Sequence, residues 1–335
     1  MKKIVGILSA AAVLAASVFA LDASAAIKFN GSLFDVNFAE NAKPKFIKVE
    51  EPKAQKGHGQ TGIDLNVSTD KAGASLIIGN GYGGTPTTSY QGYKLWVKPV
   101  DAIKINLGSL DYCLNKESID YAGCLNGTGD SGLSADITVS GLTINLILNP
   151  GINKNWYDGE VFGNTAVMVK YGADFGTIGA AWIGAPDTEA EPKKSFATNT
   201  LSVGYSNTFG GVSMFADAAL IITDKLTNVK ADAFAKGNVD AFGYAAYVDF
   251  DFNVVSSKVS GVQAKAKLTY ALDSFTPYLY VKNENVLADN FKMTVKPGVT
   301  FNIGAASVDI AADFTISSVT GASALSVPFG VSMNF

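Results

Sequence analysis

Arginine is absent from the 335 residues, histidine occurs once and cysteine twice. Without arginine there is no rigid bidentate fork for phosphate or carboxylate, so any electropositive constriction must be built from lysine. The formal net charge is −4, which gives no general attraction to nucleic acid. The single histidine, His58, stands in Lys56-Gly57-His58-Gly59 with no partner motif of the kind a general base requires. That speaks against a histidine-dependent hydrolase and against a Cys/His zinc site, and no catalytic, cofactor or metal residue is expected. Charged residues make up only 17%, low against the usual quarter. Long apolar runs are also missing: only Ile4 to Ala20 approaches the roughly 18 residues of a membrane helix, which excludes a helical membrane protein. Gly79-Asn80-Gly81-Tyr82-Gly83-Gly84 matches a dinucleotide-loop spacing, but Thr85-Pro86 follows where a helix is needed, so a surface loop is expected. Apolar side chains reach 47% and aromatics 11%, too many for a disordered chain. What remains is a large β-protein, either packed in water or meeting lipid through its strands.

The two ends are informative. Lys2 and Lys3, the apolar run and Ala23-Ser24-Ala25 form a secretory signal peptide over residues 1–25, with the mature chain at 26–335. At the other end Val327, Phe329, Val331, Met333 and Phe335 alternate with Pro328, Gly330, Ser332 and Asn334. This is strict period-two patterning ending on an aromatic. On these residues the chain resembles the outer-membrane β-barrel porins of diderm bacteria. The resemblance implies a bacterial outer-membrane location and contact with outer-membrane lipid. It also implies that Phe329, Val331, Met333 and Phe335 are read by the barrel assembly machinery. An ordinary edge strand ending in Phe is the plain alternative.

Alternation continues along the whole mature chain and predicts an all-β fold, a transmembrane antiparallel up-and-down β-barrel of about 16 to 18 strands. Eighteen segments can be drawn, from 26–38 to 326–335. Parity places one of them over the weakly patterned 228–236, since single-chain barrels have even strand numbers with both ends in the periplasm. Three hairpins are fixed by register. Val139 faces Leu142 and Ala135 faces Leu146; Ile303 faces Ala306 and Val299 faces Ile310; Val97 faces Ile103 and Tyr93 faces Leu107. Segments of about 9 to 11 residues suit tilted strands crossing hydrocarbon. Longer extracellular loops are expected at about 39–61, 80–91, 111–131, 150–164 and 184–198, with short periplasmic turns opposite. All eight Glu, at 40, 50, 51, 117, 160, 189, 191 and 284, fall outside the strands. They predict either plain solubilising charge or an acidic outer rim that holds divalent cations beside lipid headgroups.

The faces opposite the apolar ones supply the pore-lining candidates: Lys94, Trp96, Lys98, Lys104, Asp136, Lys170, Asp249, Asp251, Lys265, Lys267, Lys296, Asp309 and Asp313. The drawn registers set Lys296 opposite Asp313 and Trp96 opposite Lys104. Such pairs stabilise a sheet by about 0.2 to 1 kcal/mol and equally line a charged lumen. Trp96, with Tyr278 and Tyr280, is a possible stacking surface for sugars. Cys113 and Cys124 share the 111–131 loop of an exported chain, where oxidation to a disulfide is expected. The bridge would pin that loop and let it fold over or into the pore. The expected function is a passive, non-enzymatic diffusion channel for small hydrophilic solutes or ions, with a homo-oligomer compatible. Leu95-Trp96-Val97-Lys98-Pro99-Val100-Asp101 also resembles units of spirochaetal surface barrels. That favours the alternative of a non-conducting, surface-exposed barrel displaying loops for adhesion or antigenic variation.

Overall fold

A computed structural model describes residues 22–38, 44–49, 62–80, 88–120, 124–125, 127–148, 165–187, 194–284, 286, 291–318 and 323–335. His58, the Gly81–Gly84 part of the glycine-rich loop and six of the eight Glu (40, 50, 51, 160, 189, 191) lie outside them. Among the described residues every regular element is a strand, and all of these strands join one antiparallel sheet. In chain order they are β1 Asp22–Asn37, β2 Lys45–Val49, β3 Gly62–Ser68, β4 Ala72–Asn80, β5 Thr88–Val100, β6 Ile103–Cys113 and β7 Gly127–Val139. Next come β8 Leu142–Leu148, β9 Thr165–Ala173, β10 Gly176–Asp187, β11 Lys194–Phe209, β12 Val212–Ile222, β13 Leu226–Val239 and β14 Phe242–Asn253. The last six are β15 Lys258–Tyr270, β16 Phe275–Glu284, β17 Lys292–Ile303, β18 Ala306–Ala311, β19 Asp313–Ser317 and β20 Ser323–Asn334.

Apart from the β2/β3 and β18/β19 junctions, each strand pairs with its chain neighbours, and β1 pairs with β20 from Ala26↔Asn334 to Asn37↔Ala324, so the sheet closes on itself. The ring has eighteen staves. Two of them are broken. β18 and β19 both pair with β17 and with β20, and β2 and β3 run one after the other along β1. β2 therefore corrects the expectation of a plain loop over 39–61. Lys45–Val49 pairs with β1, and Phe46 packs on Phe34 of β1 with ring centroids 5.4 Å apart. The weakly patterned segment near 228–236 is β13, hydrogen-bonded on both sides.

The hairpins at Ser140-Gly141 and Gly304-Ala305 have the expected registers. The third is shifted by two residues: Val97 faces Ile105, Leu95 faces Leu107 and Val100 faces Ile103. Pro99 has no N–H to give to the ladder, and the strand bulges between Val97 and Val100 and turns later, at Asp101-Ala102. A shift of two keeps every side chain on its own face, whereas a shift of one would have turned the strand inside out. At this end Lys71 forms an ion pair with Asp101, and the ammonium holds that carboxyl below the ordinary aspartate range.

The outer face is apolar and uncovered: Leu95, Ile105, Leu107, Leu146, Leu201, Leu220, Leu268 and Phe314 are all exposed, and Val203 is 61% exposed. The oily residues thus point away from the interior, as a barrel in lipid demands and a packed sandwich forbids. Tyr171, Phe175, Phe209, Phe242, Tyr270, Phe275 and Phe335 are exposed beside the short turns, where they form an aromatic girdle of the kind found at a membrane interface. Both chain ends of the barrel lie at this turn end, with Phe335 N–H donating to Ala25 O (2.8 Å) and Ala25 N–H to Phe335 O (3.1 Å).

Candidate functional site: the lumen and the loop that enters it

Period-two alternation turns the residues between the lipid-facing ones inward. The registers carry one inner row around β12 to β17: Phe215↔Phe234↔Tyr247↔Lys265↔Lys282↔Thr294. All thirteen pore-lining candidates share this inner parity. The structure sets Trp96 opposite Asn106, not Lys104, as the two-residue shift requires. Lys104 still reaches Trp96 diagonally, its Nζ 4.7 Å from the ring centroid, with Lys98 Nζ at 5.6 Å. Lys296 and Asp313 lie between the bracketing pairs Val295↔Phe314 and Gly298↔Ala311.

Beside this lysine cluster is a polar network. Asn106 Nδ2 donates to Ser134 Oγ (3.1 Å) and Asp136 Oδ2 (2.9 Å). Tyr112 OH and Asn145 Nδ2 donate to Asp136 Oδ1 at 2.6 and 3.0 Å. Around the ring, Lys230 pairs with Asp251 (3.1 Å), Lys267 lies over Tyr278 (4.9 Å), and Asp309 accepts from Tyr278 OH (3.0 Å) and Thr300 Oγ1 (2.8 Å). Tyr278 and Tyr280 both face inward, but their hydroxyls are engaged by Asp309 and Asp120.

The dominant feature is the segment after β6. Cys113 and Cys124 are joined by a disulfide, with Cα atoms 6.2 Å apart. Residues 114–120 run inside the barrel along the wall made by β10 to β16. Leu114 is 2% exposed and sits over Gly179 of β10, where a Cβ would come within 2.5 Å of its Cδ1. Asn115 Nδ2 donates to Asp217 Oδ1 of β12 at 2.6 Å, above Gly204, where again no Cβ fits. Lys170 Nζ holds the carbonyl of Cys113 at 3.1 Å. Ile119 packs among Phe215, Phe234 and Tyr247. At the far end Lys265 Nζ lies 3.2 Å from Glu117 Oε1 and 2.6 Å from Asp120 Oδ1, and Tyr280 OH donates to Asp120 Oδ2 at 3.0 Å. Glu117 turns back to accept from its own chain at Ile119 N–H and Asp120 N–H, so the buried carboxylate is satisfied twice over.

This arrangement revises two sequence expectations. Glu117 does not belong to an outer acidic rim: it is fully buried inside the barrel, because Lys265 offers the charge that makes burial tolerable. Glu284 is the last residue of β16, 2.6 Å from Lys282. Lys265 is inward-facing yet only 3% exposed, covered by the loop. Residues absent from the candidate set, namely Leu114, Asn115, Ile119, Asp120, Asp217 and Asp232, prove central. The inward parity of Asp217 and Asp232 was readable from alternation; the loop's seat was not.

No family model matches the chain, and no curated protein does. Solved structures do match. OccK3 (OpdO) of Pseudomonas aeruginosa aligns with a TM-score of 0.61 at 11% identity, covering 94% of this chain and 96% of that one. OpdK of the same organism, solved with vanillate, gives 0.58 at 8% identity over 94% and 98% of the two chains. OmpT, an outer membrane protein of Vibrio cholerae in trimer form, gives 0.50 at 13% identity over 94% and 99%. At these identities the likeness establishes the fold: a complete antiparallel barrel of the outer-membrane type over nearly the whole chain.

Proposed function

We propose that the protein is a passive diffusion channel of a bacterial outer membrane, whose lumen is narrowed by the disulfide-bridged segment 114–120. The observation that carries this reading is the pairing of an oily outer belt with a charged inner wall. Barrels of this strand number leave an aqueous passage unless plugged, and a hydrated lumen is where unpaired Lys and Asp side chains are tolerated. The loop lies against the β10 to β16 wall, with Lys94, Lys98 and Lys104 on the other side of the ring. Small hydrophilic solutes and ions would pass between a lysine-rich surface and the loop. OpdK was solved with vanillate, an aromatic carboxylate, and the Trp96 and lysine cluster offers complementary chemistry for an anion of that class. No catalytic step is part of this reading.

Residues 1–25 are proposed to be removed on export, which would take with them the first four residues of β1, including Ala25 and its two hydrogen bonds to Phe335. Phe329, Val331, Met333 and Phe335, on the lipid-facing side of β20, are proposed as the assembly signal. Short turns and both ends of the barrel would face the periplasm, with the long connections outside. Self-association through the outer belt is compatible with this surface. The decisive experiment is planar-bilayer recording with the refolded protein. Stable stepwise currents support the channel, whereas silence across salts and voltages would favour a barrel that only displays its loops.

A further inference from the structure

A cavity of about 290 Å³ lies beneath the tip of the loop, on the inner wall between β13 and β15. Two inward-facing rows cross it: Lys236↔Ala245↔Lys267 and Asn238↔Gly243↔Thr269. The middle strand, β14, contributes only Ala245 and Gly243, so the floor is almost bare backbone. Nothing larger fits at Gly243, where a Cβ would stand 2.4 Å from Thr269 Oγ1 and 2.8 Å from Asn238 Oδ1. Those two polar ends therefore converge over the floor from opposite sides. Lys236 and Lys267 form the walls of the next row, Ser213 stands opposite Lys236, and Ser118 of the loop closes the cavity from above. The loop is fixed on both sides of Ser118, through Glu117 on Lys265 and through Ile119 in the apolar cluster that Ala245 adjoins.

Charge decides what such a cavity takes. No carboxylate lines it among the described residues. Lys265, one row away, is neutralised by Glu117 and Asp120. Lys236 and Lys267 form no ion pair among the described residues, and Lys267 only lies over the ring of Tyr278 at 4.9 Å. Two unpaired ammonium groups in one low-dielectric recess repel each other and together attract an anion. A phosphate group carries nearly two negative charges and three acceptor oxygens spread in three dimensions. That suits two ammonium groups with hydroxyls and an amide on several sides better than a planar carboxylate does. The volume is near the lower end of small-molecule sites and leaves room beside the phosphate for a small polar substituent.

We propose that Lys236 and Lys267, with Ser118, Ser213, Asn238 and Thr269, bind a phosphate group under the loop tip, either free or as the monoester of a small polyol. The site lies across the ring from Trp96. It rests on the water-filled lumen of the channel reading but not on conduction, so the two are tested apart.

The test is calorimetric titration of the refolded full-length barrel in detergent, at constant ionic strength, with sodium phosphate, glycerol 3-phosphate and sodium succinate. Folding of every variant is verified by its heat-dependent gel mobility. One saturable phosphate site is expected. Saturation by both phosphates identifies a site that accepts esters, and saturation by inorganic phosphate alone identifies one for the free ion. Lys236→Gln and Lys267→Gln should each weaken binding at least about tenfold, the loss expected for a charge-assisted hydrogen bond. Ala245→Leu keeps both charges but fills the floor and should abolish binding, while Lys225→Gln, between β12 and β13 at the far end of the barrel, should leave it unchanged. Absence of saturable heat with either phosphate would overturn the proposal, and stepwise bilayer currents from the same preparation would leave the channel reading standing. Tighter binding of succinate would overturn the assignment to phosphate. Binding that survives Ala245→Leu would overturn the site itself, because the lysines would then act only as a diffuse field.

Discussion

Lys265 and Glu117 stand 148 positions apart in the chain, yet their side chains meet at 3.2 Å with almost no exposure to solvent. The contact ties a segment that leaves the wall at β6 to a stave on the opposite side of the ring. An ion pair so far from water gains its stability only if both members are present and otherwise hydrogen-bonded. Here Asp120 and the backbone N–H groups of Ile119 and Asp120 complete the set. The loop is therefore locked at its tip by charge and along its length by Leu114 and Ile119.

Removing one partner should cost more than removing both. Lys265→Met strands the Glu117 carboxylate and is expected to destabilise the folded barrel by about 3 to 5 kcal/mol. The double substitution Lys265→Met with Glu117→Gln should recover part of that loss. Urea unfolding in lipid vesicles, compared across the cycle, measures both. A double-variant loss equal to the sum of the losses in Lys265→Met and Glu117→Gln would show that the two charges are not coupled.

Lys94, Lys98 and Lys104 surround Trp96 on the inner wall. Replacing all three with Gln should lower anion preference, because they concentrate positive potential in a low-dielectric passage. Reversal potentials across a potassium chloride gradient should move toward cation selectivity, with the permeability ratio changing severalfold. An unmoved reversal potential would remove this cluster from the conduction path.

Much of the barrel was legible because alternation is a local signal. β13 illustrates the limit: its own pattern, Leu226 to Val239, is weak, and parity of the whole ring identified it. Pro99 and the bulge it favours mimic a turn, so alternation alone places the β5–β6 register two residues off. β2 escapes a reading by alternation because Phe46 and Ile47 stand side by side, so its five residues carry no period-two signal. The seat of the loop was beyond reach for a different reason. Nothing near Glu117 in sequence indicates that its counter-charge is Lys265, since that pairing depends on curvature and closure of the entire sheet. The cysteine pair marked the right segment, but a disulfide restrains a loop without saying where it goes.

The outer belt makes a directional prediction. Val203, exposed at the middle of β11 on the oily face, should tolerate no charge: Val203→Lys is expected to cost about 2 to 4 kcal/mol in a bilayer. Thr138 lies on the inner face near a turn and is exposed there, so Thr138→Lys should stay within about 0.5 kcal/mol. Unfolding in vesicles distinguishes the two, and similar costs at both sites would contradict the assignment of faces.

The Cys113–Cys124 bridge closes a short ring, with a sequence separation of 11, at the point where the loop leaves β6. Its entropic effect on the unfolded chain corresponds to about 3 kcal/mol. Replacing both cysteines with Ser should lower stability by that order. Conduction should respond differently from stability. The loop retains its anchors at Leu114, Asn115, Ile119, Glu117 and Asp120, so the mean conductance should change little. The root of the loop, freed of its crosslink, should instead move between positions on the recording timescale, and open-channel noise should rise. Adding Lys265→Met to the cysteine-free protein releases both ends of the loop. Conductance should then increase beyond what either change produces alone. A cysteine-free channel as quiet as the parent, with no further change on losing Lys265, would show that the loop does not border the path taken by ions.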